Sequence, residues 1–219
     1  PLSRRQRQMC IRDRLLTYGI PEFKLEKKIV HKRREILENL GVKFVLNFEV
    51  QAKELSEIED KYDAIFLGLG TYESIKGDYK GFEKDGVVEA LPYLTENTKY
   101  LMNENDALSM DFKNQKVVVL GGGDTAMDCV RTALRQGAKK VTCVYRRDFE
   151  NMPGSRKEVK HAMEEGVEFL FNHQIVEAKG DDKLSELIAE ETELFGNDGS
   201  GRKKPKVKEG TQKKIELDK

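Results

Sequence analysis

The segment KVVVLGGGDTAMD, which begins at Lys116, constrains the fold of this chain more than any other stretch of the sequence. Five residues typical of a buried strand run into a GxGxxA spacing formed by Gly121, Gly123 and Ala126, and a helical pattern follows. In such a turn the first glycine allows a tight bend, the second leaves no Cβ between backbone and pyrophosphate, and the alanine lets the helix pack closely. We therefore expect the turn, with Gly122 between the two glycines, to bind a dinucleotide diphosphate, although a glycine turn without a ligand remains the alternative.

Two polar residues open the helix that follows this turn. A carboxylate at Asp124 should repel phosphate, so we predict that its side chain turns back to cap the helix. Thr125 is then a candidate hydroxyl donor to the phosphate, in addition to the free N–H groups and the positive dipole end of the helix N-terminus.

Strand and helix patterns alternate around this turn and predict a βαβαβ unit, the half-fold that binds a mononucleotide moiety in a doubly wound sheet. The predicted elements are strands over Lys116–Leu120, Lys140–Tyr145 and Val167–Phe171 and helices over Asp124–Gln136 and Arg156–Glu165. A capping box formed by Ser155 and Glu158 is expected to start the second helix. The fold class is therefore α/β, with a Rossmann-like parallel sheet and flanking helices.

The remaining patterns predict elements on both sides of this unit. We expect a helix from about Glu22 to Leu40, strands over Val42–Leu46 and Ala64–Leu67, and a helix from Leu91 to Met102. Antiparallel strands are expected over Leu184–Leu194 and Lys213–Leu217, joined by a segment rich in Gly, Asn, Asp and Lys around residues 196–205.

The end of the second predicted strand indicates which coenzyme the unit prefers. NAD sites usually place an acidic residue there, whereas this strand runs into Arg146 and Arg147. Guanidinium groups match phosphate oxygens in bidentate geometry, so the pair favours the 2′-phosphate of NADPH. Arg156 opens the next helix and is a third candidate for this phosphate. The alternative is a solvated basic corner neutralised by Asp148 and Glu150.

Charge and hydropathy exclude several classes of function. The chain holds 39 basic and 39 acidic residues, so no overall field draws it to nucleic acid or to an anionic membrane. No apolar run reaches the roughly 20 residues that a spanning helix needs. These features predict a soluble cytoplasmic chain. Residues 1–14 are Arg-rich without a hydrophobic period, and we interpret them as a non-native or disordered extension.

Cysteine and histidine give no sign of metal or thiol chemistry. The three cysteines and three histidines have neither CxxC spacing nor a second ligand at helical spacing. Cys129 and Cys143 are better explained as small core residues than as nucleophiles. We nominate no catalytic residue, because hydride transfer between a nicotinamide and a flavin depends on the two cofactors and on their geometry.

Several longer stretches resemble the small (beta) subunits of NADPH-dependent glutamate synthase, which are flavoproteins of the pyridine nucleotide-disulfide oxidoreductase type. The matching stretches are LLTYGIPEFKLEK from Leu15, GVKFVLNFEV from Gly41, YDAIFLGLGTY from Tyr62, VVVLGGGDTAMDCVRTALRQGAKKVTCVYRRD from Val117 and NMPGSRKEVKHAMEEGVEFLFN from Asn151.

The resemblance implies a partial FAD-binding domain over residues 15–90 and an NADPH-binding domain over residues 91–219, truncated at its C-terminal end. Gly68, Gly70 and Thr71 would lie near FAD. The iron–sulfur clusters of the family belong to an N-terminal domain that this sequence does not include. The chain is therefore expected to be an internal fragment of the parent protein.

In function, the resemblance implies that the parent passes hydride from NADPH to FAD and electrons onward to a large (alpha) subunit for glutamate synthesis. This chain alone would bind nucleotide without turnover. The alternatives are a related flavoprotein that supplies another acceptor, such as a ferredoxin:NADP or sulfide-linked oxidoreductase, and a non-catalytic nucleotide-binding module.

Overall fold

A computed structural model describes residues 11–46, 48–70, 76–181 and 183–218, with side chains from Leu15 onward. The chain forms two compact units, Pro1–Glu73 and Ser74–Lys219. Among the helices of these described ranges, none combines the length and the hydrophobicity needed to cross a membrane.

The regular elements described in the first unit, over residues 11–46 and 48–70, are helices. They are a π-helix over Ile11–Gly19 and two α-helices, α1 over Lys27–Asn39 and α2 over Ala52–Glu59. α1 confirms the helix predicted before Gly41. Lys27 at its start is buried and donates hydrogen bonds to the backbone oxygens of Leu16 (3.1 Å) and Ile20 (2.5 Å). Burial lowers the pKa of Lys27, and its two carbonyl partners tie α1 to the preceding segment.

Both strands predicted in the first unit are wrong. Val42–Leu46 and Ala64–Leu67 form no regular strand, and the Phe66 side chain, expected in a buried strand, is 89% exposed. A strand needs a neighbour to receive its backbone hydrogen bonds, and no described residue pairs with 64–67. α2 was not predicted, because its sequence AKELSEIE reads as a polar stretch.

The second unit contains the predicted βαβαβ arrangement. Its elements are α3 (Ala90–Leu101), β1 (Lys116–Leu120), α4 (Asp124–Arg135), β2 (Lys140–Tyr145), α5 (Arg156–Glu164) and β3 (Glu168–Phe171). The strands form a parallel sheet in the order β1-β2-β3, with Val118 opposite Thr142 and Cys143 opposite Phe169. The α/β fold class and the order of its elements are confirmed.

The main core lies between α4, α5 and the parallel sheet. Met127 and Val130 on α4 are fully buried against Val141 of β2 and Val159 of α5. Burying side chains of this size stabilises the fold by about 1.5–3 kcal/mol each. This packing fixes the position of α4 against the sheet, and therefore the position of the glycine turn that precedes α4.

The two cysteines of this unit belong to its core, as predicted. Cys143 is fully buried in β2, and Cys129 of α4 packs against Tyr93 and Leu94 of α3. Burial raises the pKa of both thiols to about 12, so neither is a thiolate at neutral pH.

An ion-pair network joins α4 to α5. The buried Arg131 guanidinium donates to Glu158 (2.7 Å) and binds Glu165 through Nε and Nη2 (3.1 and 2.8 Å). Arg135 donates to the same Glu165 carboxylate at 2.6 Å. The Ser155 side chain makes no cap hydrogen bond, and the Glu158 carboxylate forms an ion pair with Arg131. The prediction of a capping box formed by Ser155 and Glu158 is therefore wrong.

A second set of strands is antiparallel. β4 (His173–Lys179) and β5 (Glu186–Phe195) form the longest pairing, and β5 also pairs with β6 (Lys204–Val207) and β7 (Lys213–Glu216). The antiparallel pairing of the two predicted tail strands is confirmed. β4 was not predicted, and β6 lies partly in the segment that we assigned to a connection.

The compact units divide at residue 73, whereas the sequence placed a domain boundary at residue 90. Lys80 and Asp85 form isolated β-bridges with Glu177 and Lys183, so the chain before α3 packs against the antiparallel strands. The assignment of the two predicted domains to FAD and NADPH stays a prediction.

Candidate functional site

The glycine turn follows β1 directly and has the backbone geometry that its sequence predicts. Gly121 has φ +146°, a conformation that L side chains rarely adopt, and its N–H donates to the Val144 carbonyl at 3.1 Å. A Cβ added at Gly121 would lie 3.3 Å from the Cβ of Ala126. The turn and the first turn of α4 are therefore in close contact, as we inferred from the glycine and alanine spacing.

The other two glycines of the turn face different surroundings. A Cβ added at Gly122 would meet the Tyr145 ring at 2.5 Å, so glycine is needed there for packing inside the protein. A Cβ added at Gly123 would meet nothing within 4 Å. Gly123 thus leaves open space at the start of α4, where a phosphate group can approach the helix N-terminus.

Asp124 does not cap α4, so the capping prediction is wrong. The N-cap is Gly123, which has no side chain to accept a hydrogen bond, and the Asp124 carboxylate instead accepts one from the backbone N–H of Ser155 at 2.9 Å. This bond forms because the loop before α5 passes next to the start of α4. Thr125 is exposed in the first turn of α4, where a donor to a bound phosphate is expected.

The β2–α5 loop packs on the glycine turn. The Gly154 N–H donates to the Gly122 carbonyl at 2.9 Å, and a Cβ at Gly154 would lie 2.9 Å from that oxygen. The Tyr145 hydroxyl donates to the Asn151 carbonyl at 2.9 Å and holds the same loop from the other side. The turn that follows β1 is therefore fixed by the loop that follows β2.

A cleft of about 400 Å³ opens at the carboxyl edge of the parallel sheet. It is bordered by the last residue of β1 and the first glycine of the turn, by the end of β2, and by the start of β4. Ligands of open α/β sheets bind at this edge. The lining residues are Asp78, Tyr79, Leu120, Gly121, Val144, Tyr145, Arg146, Arg147, Pro153, His173, Gln174, Ile175 and Arg202.

The two adjacent arginines at the end of β2 have different surroundings. Arg146 is exposed at the cleft, and no described residue forms a hydrogen bond or an ion pair with its guanidinium. The Arg147 side chain is only 7% exposed. Its Nη2 binds Asp198 at 2.8 Å and its Nε donates to the Lys203 carbonyl at 2.6 Å. Arg146 is available to an incoming anion, whereas Arg147 is already paired within the protein.

Arg156 is not among the residues that line the cleft. Its guanidinium lies 4.3 Å from the centroid of the Phe149 ring and donates to the carbonyls of Phe149 and Glu150. These contacts hold the β2–α5 loop, and contact between Arg156 and the 2′-phosphate stays a prediction.

The residues expected near a flavin belong to the first unit, and the cleft is formed within the second. Gly70 has φ +75°, and a Cβ at Gly68 would lie 3.2 Å from the Phe66 ring. Thr71 lies outside the described residues. FAD contact by these three residues stays a prediction.

Sequence reasoning missed the contribution of the antiparallel strands to the cleft. His173, Gln174 and Arg202 line it, although they follow the predicted βαβαβ unit or lie far beyond it. A local signal existed only for the Gly-rich segment, which marked a turn without indicating where that turn packs. In the described ranges, no group of three or more His, Cys, Asp or Glu side chains is arranged to hold a metal ion.

Comparison with known proteins identifies the family of the chain. The sequence model of the pyridine nucleotide-disulphide oxidoreductase family matches residues 8–200, which include the glycine turn and most of the cleft. The chain belongs to this oxidoreductase family.

Within the family, the chain is 50% identical over 210 residues to the glutamate synthase [NADPH] small chain of Escherichia coli, covering 93% of this chain and 44% of that protein. It is 32% identical over 217 residues to the NADPH-Fe(3+) oxidoreductase subunit beta of Geobacter sulfurreducens, covering 93% and 30%. The resemblance to glutamate synthase small chains is confirmed, and the chain spans less than half of their length.

A solved structure supports the fold. The FprA protein of Mycobacterium tuberculosis in complex with NADPH superposes with a TM-score of 0.74 at 19% identity, covering 92% of this chain and 59% of that one. At this identity, the likeness supports the architecture of the oxidoreductase family alone.

Proposed function

We propose that this chain is the NADPH-binding portion of a glutamate synthase small chain. The proposal is supported by 50% identity to the Escherichia coli protein across nearly the whole chain and by the cleft at the carboxyl edge of the sheet. In this proposal, the parent protein passes hydride from NADPH to FAD and then passes electrons to the large (alpha) subunit for glutamate synthesis.

The observation that carries the proposal is Arg146, which has no side-chain partner among the described residues and lines the same cleft as Gly121 of the glycine turn. The diphosphate of the coenzyme would lie at the turn, over Gly123 and the first N–H groups of α4, with Thr125 as a further donor. The 2′-phosphate would lie at Arg146, whose guanidinium has no competing partner among the described residues. Gly121 of the turn and Arg146 line the same cleft, which agrees with a ligand that carries phosphate at two positions.

The residues of this chain bind and orient the coenzyme rather than react with it. When bound, NADPH supplies the hydride, and FAD in the parent protein is its acceptor. The raised thiol pKa values of Cys129 and Cys143, about 12, agree with a mechanism that uses no nucleophile from this unit. Iron–sulfur clusters and a cytoplasmic location are part of the same proposal and come from the resemblance and from the sequence.

Arg146→Gln tests the proposal in a calorimetric titration of the whole chain with NADPH and with NADH. The unsubstituted 219-residue chain should bind NADPH more tightly than NADH. The variant should lose about tenfold or more in NADPH affinity, because a charge-assisted hydrogen bond is worth about 1.5–3 kcal/mol, and its NADH affinity should change little.

Lys139→Gln is the matched control, because it removes one exposed positive charge at the opposite end of β2. It should leave both affinities unchanged. Equal binding of NADPH and NADH by the parent chain would refute the assignment of the 2′-phosphate, and binding of neither would refute the proposed nucleotide site.

A second candidate is a subunit that supplies another electron acceptor. It is favoured by the 32% identity to the NADPH-Fe(3+) oxidoreductase subunit beta, which covers the same 93% of the chain. The two candidates share the NADPH site and differ in the partner protein. Association with a purified glutamate synthase large subunit, measured by analytical ultracentrifugation, supports the first candidate, and lack of association favours the second.

A further inference from the structure

The connection between β5 and β6, residues 196–203, contributes Arg202 to the lining of the cleft. Arg202 in this connection lines the same cleft as Arg146, although one follows a parallel strand and the other precedes an antiparallel one. Two arginines from separate elements therefore line one cleft. No motif in the sequence links these two positions.

Arg147, which follows β2, binds this connection at two points. Its Nη2 binds the Asp198 carboxylate at 2.8 Å and its Nε donates to the Lys203 carbonyl at 2.6 Å, so it holds both ends of the connection. The Lys203 N–H donates to the Asn151 side chain of the β2–α5 loop at 3.1 Å. Arg202 lies between these two points of attachment and is held near the end of β2.

Asp198 also shapes the backbone around Arg202. Its Oδ1 accepts the N–H groups of Ser200 (2.9 Å) and Arg202 (3.1 Å), and its own N–H donates to the Arg202 carbonyl at 2.6 Å. Hydrogen bonds from Ser200 are the main reason that the pKa of Asp198 falls to about 2, so the carboxylate stays charged and continues to bind Arg147 at neutral pH.

The guanidinium of Arg202 is only partly used by these contacts. Its Nε donates to the Ser200 hydroxyl at 2.8 Å and lies 3.8 Å from Asp198 Oδ2. Within the part of the chain that the structure describes, its two Nη groups have no hydrogen-bond partner, and 37% of the side chain is exposed. A phosphate in the cleft would give these donors an acceptor.

We propose that Arg202 is a second guanidinium ligand for the 2′-phosphate of the coenzyme, beside Arg146, and that the Arg147–Asp198 ion pair positions it. This inference rests on the proposed function. A phosphate monoester carries up to two negative charges and several acceptor oxygens, which two guanidinium forks from different directions satisfy better than one. Among the described residues that line the cleft, Asp78 is the one acidic residue. The Arg147–Asp198 pair is neutral, so Arg146 and Arg202 leave this described lining positively charged.

The test is a calorimetric titration of the whole chain with adenosine 2′,5′-bisphosphate and with adenosine 5′-monophosphate. Arg202→Gln should weaken binding of the bisphosphate about tenfold, through loss of charge-assisted hydrogen bonds, and should change binding of the monophosphate less than about twofold. Arg202→Lys keeps the positive charge but replaces the planar, bidentate guanidinium group with an ammonium group, and it should give an intermediate affinity. Lys204→Gln is the control, because it removes the same charge from the adjoining strand at a residue outside the cleft lining.

Three results would overturn the inference, and they are distinguishable. If Arg202→Gln keeps the parental preference for the bisphosphate while Arg146→Gln loses it, Arg202 is not a ligand, although the proposed function stands. If Arg202→Gln weakens binding of both nucleotides equally, Arg202 only maintains the conformation of the connection and is not a ligand of the 2′-phosphate. If the parent chain does not distinguish the two nucleotides, the inference and the 2′-phosphate site of the proposed function both fail.

Discussion

Glu165→Gln should loosen the attachment of α5 to α4. Glu165 accepts hydrogen bonds from Arg131 and Arg135, and these bonds, that from Arg135 first, hold the pKa of its carboxyl at about 2 against an ordinary value of 4.5. Glutamine keeps the size of the side chain and removes its charge. Arg131 is buried and would keep its ion pair with Glu158, at 2.7 Å, but it would lose the negative charge of Glu165.

The pKa of Glu165 sets the magnitude and the pH dependence of the effect. A shift from 4.5 to about 2 corresponds to about 3 kcal/mol when the pair is unscreened. Because 28% of the Glu165 side chain is exposed, solvent screening reduces the expected loss of stability to about 1–2 kcal/mol. The carboxyl pKa is lower in the folded state, so this stabilisation is full above pH 4.5 and disappears as the pH falls toward 2.

Urea denaturation of the parent chain and of Glu165→Gln at pH 7, 5, 4 and 3 measures this difference. The two free energies of unfolding should differ by about 1–2 kcal/mol at pH 7 and should converge in acid. Glu164→Gln is the control, because Glu164 is 59% exposed and lies 3.6 Å from Lys160, an exposed pair worth less than about 1 kcal/mol. Equal effects of the two substitutions at pH 7, or a difference that is as large at pH 3 as at pH 7, would refute the reasoning.

Two further predictions concern the glycine turn. Gly122→Ala should destabilise the chain by about 1–3 kcal/mol in thermal unfolding, because its Cβ would lie 2.5 Å from the Tyr145 ring, whereas Gly123→Ala, with open space around the new Cβ, should fold normally and weaken NADPH binding. The opposite pattern would show that the two glycines have been assigned the wrong roles. Asp124→Asn keeps an acceptor for the Ser155 N–H and removes a negative charge beside the helix N-terminus, so NADPH affinity should rise by about twofold or more in titration, as for a change of about 0.3–1 kcal/mol. An unchanged or lower affinity would place the coenzyme phosphates away from this helix.

The parallel sheet was predictable because each of its elements carries its own signal. β1 and β2 are rich in valine and other strand-forming residues, and Gly137 and Gly166, with φ of +88° and +100°, mark the ends of α4 and α5. Patterns of this kind depend on neighbouring residues in the chain, so a single sequence displays them.

The errors lie where the outcome depends on residues that are distant in the sequence. Ala64–Leu67 has the composition of a buried strand, yet a strand requires a paired neighbour, and composition does not reveal whether one is present. Arg146 and Arg147 are chemically identical, and only the fold, which brings Asp198 next to one of them, separates a free guanidinium from a paired one. The same limit explains why Arg202 was not a candidate.

The burial of Arg147 determines how much of this protein is needed to transplant its binding site. A βαβαβ segment ending at Phe171 would contain the glycine turn and Arg146, but it would leave the Arg147 guanidinium without Asp198 and without the Lys203 carbonyl. That segment would also lack Arg202 and the connection that Arg147 holds next to the cleft. The smallest transferable nucleotide-binding module therefore extends beyond the parallel sheet and includes the strands that carry residues 196–203.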